Sequence, residues 1–322
     1  MLRSISNRNF ERSFVAVSEA VNCECRSFQT GKIFNFCYIN PQNSSFIGRK
    51  FDCEHLEILE DAGDLGNYLI LEKGVSGLLE TNFIFSNLSE IPRNESEFVF
   101  VSSTSNDQFD FTLSSIKCIR EFYPDQKYIL YGLNLNSSLV NQLPNDPNFE
   151  FRQYYNPVPK PVIMARALKE TGAFWWIEPE IALRKPDVIK KFLEKISSQA
   201  SSIVSFRSTH QFIAGGLHPE ILNFYPGSSL EALKNTNQVE VSVLFVTRTQ
   251  QTVNILKWWT LCSLTKSCIQ ARSVDPEEKP QSPARPRYDL AVFNLLMLNE
   301  FQNRENYFMS DFESSFVTMK DL

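Results

Sequence analysis

The fold of this chain is decided by residues 174–180, which read Phe-Trp-Trp-Ile-Glu-Pro-Glu. The run Ala173–Ile177 is apolar at every position, as expected of a parallel strand covered on both faces, whereas a half-exposed strand would alternate. Pro179 cannot donate a ladder hydrogen bond, so it ends the strand and leaves Glu178 and Glu180 at the carboxyl end. The stretch therefore predicts a central strand that brings two carboxylates to the edge of a sheet.

The two glutamates have two interpretations. In an extended segment, side chains two residues apart point the same way, roughly 6.6 Å apart, so Glu178 and Glu180 can share one ligand. Ligands of open α/β sheets bind outside the carboxyl ends of the strands, and paired carboxylates suit a hard divalent cation such as manganese or magnesium. The alternative, which the spacing alone favours, is that both side chains are solvated loop charges.

Length, composition and charge exclude several classes of protein. With 322 residues, 43% of them apolar, the chain can form one large domain or two modest domains around a sizeable core. The net charge of −5 argues against a nucleic-acid partner. No stretch approaches the ~18 apolar residues that span a bilayer, and residues 1–19 lack the apolar core of a signal peptide. Taken literally, the sequence predicts a cytosolic protein without a transmembrane segment.

Other features favour the secretory pathway. Asn-x-Ser sequons occur in polar surroundings at Asn43, Asn87, Asn94 and Asn136. The 7 cysteines are more than an intracellular enzyme needs, and their odd number leaves one unpaired. We expect that one to be Cys118, as a buried thiol on a helix. Neither the cysteine spacing nor the histidines fit zinc. We therefore expect a lumenal protein of the Golgi or endoplasmic reticulum, or a secreted one, whose anchor or signal is missing from this sequence.

Strands and helices alternate from residue 96 onward. We predict strands at 98–101, 127–133, 149–154, 173–177, 202–206 and 239–246. We predict helices at 113–122, 136–143, 161–170, 186–196 and 251–264, and a final helix that begins at 287–289. This alternation indicates an α/β fold with a mainly parallel central sheet flanked by helices. Because no glycine-rich phosphate loop occurs, Rossmann dehydrogenases and P-loop ATPases are disfavoured.

The domain prediction follows from the change of pattern near residue 96. Residues 1–95 contain short aromatic runs between turn residues, such as 32–38 and 82–85, and we predict a poorly defined stem or cap of short strands. Residues 96–322 are predicted to form the α/β domain.

The end of the first predicted strand is polar. Residues 98–101 run into Ser102, Ser103, Thr104 and Ser105, a type of loop whose hydroxyls and amides can receive a ligand. The alternative is a plain turn between a strand and a helix.

Two further carboxylates are candidates for chemistry. Asp289 stands near the start of the final helix, where an acid either satisfies exposed amides and the helix dipole or points into a cleft as a catalytic group. Glu240 lies in the strand-like segment 239–246.

Residues 98–301 resemble an uncharacterised metazoan family of glycosyltransferase-like proteins with a predicted glycosyltransferase-A architecture. The resemblance rests on four motifs in the family's order: Val99–Ser105, Gly172–Glu178, Trp259–Cys262 with Cys268, and Arg287–Ala291. It implies a nucleotide-sugar donor over the first strands, a divalent metal at the aromatic-rich strand end, a glycan or protein acceptor, and a lumenal setting.

The resemblance also carries roles to single residues. Glu178 falls where the family has an acidic residue, most often aspartate, and Glu180 is a second carboxylate for the metal. Lys160 follows a position at which the family has tryptophan and this chain has Pro159, and it is assigned to the donor. Asp289 matches the aspartate of a His-Arg-Tyr-Asp-Gln-Ser-like segment.

This chain shares a pair of cysteines with the family and differs from the family at several other positions. Cys262 and Cys268 match two cysteines that look like a disulfide. Pro286, Leu290 and Ala291 replace the histidine, glutamine and serine of the segment around the aspartate.

These residues predict a metal-dependent glycosyltransferase. A cation held by Glu178 and Glu180 would neutralise the diphosphate leaving group, and Asp289 or Glu240 would act as the base for an acceptor hydroxyl. One alternative is a non-catalytic member that keeps the fold as a lectin-like or scaffold protein. Another is a cytosolic interaction domain, which would require Cys262 and Cys268 to be reduced.

Overall fold

The structure is a computed structural model that describes residues 22–62, 97–156, 158–196, 201–227, 229–269 and 288–321. Within these ranges the chain forms two compact units. The sheet unit contains the described residues between 97 and 208, 239 and 253, and 305 and 321. The disulfide unit contains the described residues between 22 and 62, 209 and 238, and 254 and 304. Several features of the sequence lie outside the described residues: the predicted boundary at 95/96, the run 82–85, the sequons at Asn87 and Asn94, and residues 270–287. The two-domain division at residue 95 stays a prediction.

The described strands are β1 Glu24–Arg26, β2 Ile33–Asn35, β3 Ile39–Asn40, β4 Asn43–Ile47, β5 Val99–Thr104, β6 Lys127–Leu133, β7 Phe149–Tyr154, β8 Ala173–Ile177, β9 Ile181–Leu183, β10 Ile203–Ser205, β11 Ser208–Phe212, β12 Asn237–Val239, β13 Val243–Thr247 and β14 Phe316–Thr318. The described α-helices are α1 Leu56–Asp61, α2 Phe109–Phe122, α3 Ser137–Val140, α4 Lys160–Thr171, α5 Val188–Ile196, α6 Ile213–Gly216, α7 Ile221–Phe224, α8 Leu230–Asn235, α9 Gln250–Leu264, α10 Lys266–Ile269 and α11 Tyr288–Phe301.

The sheet unit is built on a 6-stranded sheet with the order β10-β13-β8-β5-β6-β7. The pairs β8–β5, β5–β6 and β6–β7 are parallel, and β13 is antiparallel to both of its neighbours. All strands of this sheet except β13 therefore run in the same direction. This arrangement confirms the predicted mainly parallel α/β sheet.

Strand β8 is at the centre of the sheet, and all of its residues are buried. On one face, Trp175 packs with Phe192 of α5 and with Phe245 of β13 at ring-centroid distances of 5.0 and 5.7 Å. Helix α4 packs against β8 and β5. Ala173–Ile177 can be continuously apolar because neither face of the strand meets water.

Several predicted elements differ from the observed ones. Ser102 and Thr104 are not in a loop but pair with Leu130 and Gly132 as the last part of β5. The segment 239–246 is not one strand, because residues 240–242 interrupt it between β12 and β13. These differences have one cause: strand ends depend on which neighbour supplies the next ladder bonds, and a local pattern does not contain that information.

The disulfide unit consists of small pieces joined covalently. Its amino-terminal part contains the antiparallel pairs β1–β2 and β3–β4. The disulfides Cys23–Cys37 and Cys25–Cys53 tie this part together, and Cys262–Cys268 joins the end of α9 to α10. Short strands occur in residues 22–62, and the prediction of a stem or cap over residues 1–95 stays a prediction. The Cys262–Cys268 disulfide predicted from the resemblance is confirmed.

The remaining cysteine, Cys118, is free, as expected. The prediction of a buried thiol was wrong in degree, because Cys118 is only partly buried on α2. Disulfides form and persist in oxidising environments, so the three bonds indicate a secreted or lumenal setting for the chain.

Candidate functional site

The parallel strands of the sheet unit end along one edge, which we call the carboxyl edge. The register pairs Leu133 with Tyr154 and Thr104 with Gly132, so β5, β6 and β7 end side by side. Strand β8 ends beside them at Ile177, which pairs with the first residue of β13. The ends of parallel strands are the usual ligand site of an open α/β sheet.

The predicted serine cluster divides between the two faces of the sheet. Ser102 and Thr104 are buried, and Thr104 Oγ1 accepts a hydrogen bond of 2.6 Å from Thr112 of α2. Alternation along β5 places Ser103 on the opposite face, which carries Trp176 and Glu178. Ser103 is therefore the member of β5 that shares a face with the predicted metal ligand.

The fourth member of the cluster, Ser105, lies beyond the strand. Its hydroxyl is engaged with Asp107 Oδ1 at 2.5 Å and lies 3.1 Å from Gln108 Oε1. The hydrogen bond from Ser105 lowers the pKa of Asp107. Ser105 thus shapes the turn into α2, which is the structural role considered as the alternative.

Lys160 and Glu178 are direct partners. The ammonium group of Lys160, at the first residue of α4, forms an ion pair with Glu178 Oε1 at the end of β8. The two side chains are 20% and 12% exposed, so the pair is partly shielded from water. Lys160 Nζ also lies 6.0 Å from the centre of the Trp176 ring. One contact therefore joins a residue predicted to bind the donor and one predicted to bind a metal.

The geometry assumed for Glu178 and Glu180 was wrong. The amide of Ile181 donates to the Glu178 carbonyl at 3.0 Å, so residues 178–181 form a tight turn and not an extended segment. The Glu180 carbonyl accepts a hydrogen bond of 2.7 Å from the amide of Met319. Pro179 favours this turn because it cannot extend the ladder of β8. The chain then reverses into β9, which pairs with β14.

Glu240 lies at the same edge in a network of its own. Its Oε2 accepts hydrogen bonds from Arg207 Nε at 2.9 Å and from the Ser242 hydroxyl at 2.8 Å. Ser242 in turn accepts the amide of Glu178 at 2.8 Å through its carbonyl. Glu240 and Glu178 are thus connected through one serine, and each carboxylate has a basic partner.

Arg207 is a residue that the sequence analysis missed. Besides Glu240, it donates to the Phe316 carbonyl at 2.9 Å and to Thr318 Oγ1 at 3.2 Å. It therefore anchors β14 to the carboxyl edge. The available signal was a single arginine directly after the apolar run 202–206.

A second cation on the sheet unit is already fully engaged. Arg152 of β7 contacts Glu150 and Glu170, and it donates to the Tyr131 hydroxyl at 2.8 Å. Burial raises the pKa of Tyr131 to about 12, so this phenol stays protonated at neutral pH. Lys160 has one carboxylate partner, which makes it the more available cation for a ligand.

Asp289 belongs to the disulfide unit. It lies in the first turn of α11, and its backbone carbonyl accepts a hydrogen bond of 3.1 Å from Trp259 Nε1. An acidic side chain in the first turn of a helix interacts favourably with the positive end of the helix dipole. This is the structural role considered for Asp289. A catalytic role for Asp289 stays a prediction.

The donor set at the carboxyl edge fits a divalent cation poorly. The described residues contain no group of three or more His, Cys, Asp or Glu side chains that could hold one. Glu178 is neutralised by Lys160, and Glu240 by Arg207. A metal at Glu178 would have to displace the Lys160 ammonium group.

The disulfide unit has a polar cavity of about 740 Å³. It is lined by Arg49, Asp52, Glu54, His55, Glu220, Asn223, Phe224, Leu264, Thr265, Lys266 and Ser267. The lining carries both signs of charge: three carboxylates (Asp52, Glu54 and Glu220), two permanent cations (Arg49 and Lys266) and one histidine. Among the described helices of the whole chain, none is long and apolar enough to cross a membrane.

Comparison with known proteins gives a family match for part of the chain. Residues 23–165 match the family described as "Protein of unknown function (DUF1647)". No curated protein matches the sequence. Solved structures that are similar to it include the galactosyltransferase LgtC in complex with donor and acceptor sugar analogues, and an active-site mutant of LgtC.

The similarity to the LgtC structures is distant. Each is 9% identical and covers 63% of this chain and 70% of LgtC, with TM-scores of 0.37 and 0.36. These values support no argument about activity. The family match confirms the predicted resemblance to an uncharacterised family, and residues 23–165 of this chain correspond to a protein family of unknown function.

Proposed function

We propose that the sheet unit binds the diphosphate of a nucleotide sugar at its carboxyl edge and transfers the sugar to an acceptor hydroxyl in the secretory pathway. The observation that carries the proposal is the Lys160–Glu178 pair at the end of the central strand. An ammonium group has three hydrogen-bond donors, so Lys160 can keep Glu178 as a partner and still donate to a phosphate oxygen. Ser103, on the same face, adds a hydroxyl.

The remaining predicted residues have places in the same proposal. Glu240 is held in position by Arg207 and Ser242, and it is the candidate base of the sheet unit. Asp289 belongs to the disulfide unit, and its role as a base is a separate prediction that this site does not require. Manganese or magnesium at Glu178 and Glu180 would require Glu178 to exchange Lys160 for the metal. Nucleotide binding is therefore expected to be measurable both with and without a divalent cation, and the two conditions are compared in the experiment.

A second candidate is a nucleotide-binding protein without transfer activity. It is favoured by the pairing of both carboxylates at the edge, Glu178 and Glu240, with basic side chains. Glu240 Oε2 already accepts hydrogen bonds from Arg207 and Ser242, so this oxygen is not open to an acceptor hydroxyl. Such a protein would bind the donor but release no nucleoside diphosphate.

The experiment measures thermal unfolding of the whole chain with a panel of nucleoside diphosphates and nucleotide sugars, with and without Mn²⁺. A ligand at ten times its dissociation constant adds about 1.4 kcal/mol, which raises Tm by a few degrees. Lys160→Met should weaken binding by about 1.5–3 kcal/mol, the usual contribution of a hydrogen bond to a charged group. The matched control is Lys190→Met, which changes an exposed lysine of α5.

The outcomes separate the two candidates. A Tm shift that is lost in Lys160→Met and kept in Lys190→Met supports the binding site. Release of nucleoside diphosphate in the presence of acceptor sugars then supports transfer, and binding without release supports the non-catalytic protein. No Tm shift with any nucleotide, in protein shown to be folded, would rule out both.

A further inference from the structure

The sequons of the described residues differ in their surroundings. Asn43 and Asn136 are both exposed and both begin an Asn-Ser-Ser triplet. Asn43 is the first residue of β4 in the disulfide unit, whereas Asn136 is the N-cap residue of α3 in the sheet unit, three residues after the end of β6. A bulky glycan on Asn136 would therefore stand at the carboxyl edge of the sheet unit, whereas a glycan on Asn43 would stand on the disulfide unit.

The Asn43 triplet presents its amide nitrogen to solvent. Asn43, Ser44 and Ser45 are all exposed. The Asn43 carbonyl oxygen Oδ1 accepts hydrogen bonds from the Ser45 hydroxyl at 2.6 Å and from the Ser45 amide at 3.1 Å. These bonds engage Oδ1, while Nδ2 forms no hydrogen bond with the described residues.

An exposed apolar pair lies on the same hairpin. Ile47 is the last residue of β4, four residues after Asn43. Ile47 pairs with Ile39 of β3, and the two isoleucines are 38% and 39% exposed. The β3–β4 pair is a sheet of two strands, so β4 is an edge strand. Exposed apolar side chains on an edge strand favour association, and a glycan at Asn43 would stand on the same strand as this pair.

We propose that Asn43 is a site of N-linked glycosylation. The three disulfides place the chain in an oxidising environment, and Asn-x-Ser triplets on exposed segments are the acceptors for glycan transfer in the secretory pathway. Asn43 Nδ2 loses one proton and forms a bond to C1 of the first sugar. The bond from C1 to the diphosphate of a lipid-linked oligosaccharide donor breaks, and the diphosphate leaves with the electron pair.

The test expresses the whole chain in the secretory pathway of a eukaryotic cell and analyses peptides by mass spectrometry before and after enzymatic removal of N-glycans. Only molecules in which Cys25–Cys53 is bonded are counted, so that every molecule analysed has reached the oxidising compartment. Enzymatic removal converts a glycosylated asparagine to aspartate, which identifies the site.

The variants are chosen around the hydroxyl of the triplet. Ser45→Ala and Asn43→Gln should abolish the glycopeptide, whereas Ser45→Thr keeps the hydroxyl and should retain it. Ser44→Ala is the matched control, because it changes an exposed neighbouring serine outside the required positions. An unmodified Asn43 peptide in disulfide-bonded protein would overturn the proposal, and so would a glycopeptide that persists in Ser45→Ala.

Discussion

The sheet unit and the disulfide unit are stabilised in different ways. In the sheet unit, ladder hydrogen bonds satisfy the backbone and large apolar residues fill the faces; Trp175, for example, is 1% exposed. In the disulfide unit the strands are short, so backbone carbonyls accept hydrogen bonds from side chains. Lys257 donates to the Asn35 carbonyl at 2.7 Å, and Asn40 donates to the Pro226 carbonyl at 2.8 Å. A regular ladder permits an apolar core, whereas an irregular backbone requires buried polar side chains and covalent links.

The largest expected effect tests the core of the sheet unit. Trp175→Ala should lower the free energy of unfolding by about 3–5 kcal/mol, because it removes a fully buried aromatic side chain and leaves a cavity. Denaturant unfolding followed by circular dichroism measures the change. Phe28→Ala is the control, since Phe28 is fully exposed and its loss should cost less than about 0.5 kcal/mol. Similar losses in both variants would contradict the assigned core.

The next effect tests the covalent links of the disulfide unit. Replacing Cys25 and Cys53 by serine opens a loop of 28 residues, and the chain-entropy estimate for that loop is about 3.6 kcal/mol. Replacing Cys262 and Cys268 opens a loop of 6 residues, and the estimate is about 2.2 kcal/mol. Unfolding free energies of the two double variants should follow this order. The reverse order would show that loop closure does not determine the contribution of these bonds.

A third effect tests the buried polar side chains of the disulfide unit. Burial lowers the pKa of Lys257 from 10.5 to about 8. Below pH 8 the folded protein carries the full desolvation cost of the buried charge. Between pH 8 and 10.5 the folded state loses this proton while the unfolded state keeps it, so stability rises with pH. From pH 7 to 9.5 we expect an increase of about 2 kcal/mol.

The measurement is the free energy of unfolding against pH, with Cys118 alkylated to prevent disulfide exchange. Lys257→Met should remove the increase, and Lys266→Met, which changes an exposed lysine of the same unit, should keep it. The upper limit of pH 9.5 matters because burial raises the pKa of Tyr38 and Tyr225, which act in the opposite direction near pH 10. An equal slope in Lys257→Met would assign the pH dependence to another group.

The smallest expected effect distinguishes two functions of the carboxyl edge, diphosphate binding by Lys160 and metal binding by Glu178. If Lys160 binds the diphosphate, Glu178→Gln removes its competing partner, and nucleoside diphosphate affinity should rise by up to about tenfold, or 1.4 kcal/mol. If Glu178 binds a metal, the same variant should abolish any Mn²⁺-dependent binding. Calorimetric titration with and without Mn²⁺ separates the two, with Glu194→Gln on α5 as the control. Unchanged affinity both with and without Mn²⁺ would show that Glu178 is not part of the binding site.

Much of the sheet unit could be predicted from local patterns. The strands at 127–133, 149–154 and 173–177 match their predicted bounds. For Ala173–Ile177 the reason is local, because the apolar run is preceded by Gly172 and soon followed by Pro179. The candidate site was less predictable. Ser102 and Thr104 were expected in a ligand loop but are buried in β5, since the ladder with β6 extends past the apolar residues.

The sequence by itself determined the fold class, the candidate carboxylates at the end of β8, and the excess of cysteines that indicates an oxidising environment. Only the tertiary structure decided which groups meet: Lys160 with Glu178, Arg207 with Glu240, Cys25 with Cys53. The physical reason is the range of the interactions. Apolar periodicity and turn residues act between near neighbours in the chain, whereas ion pairs and disulfides depend on strand order and helix packing, which bring distant residues together.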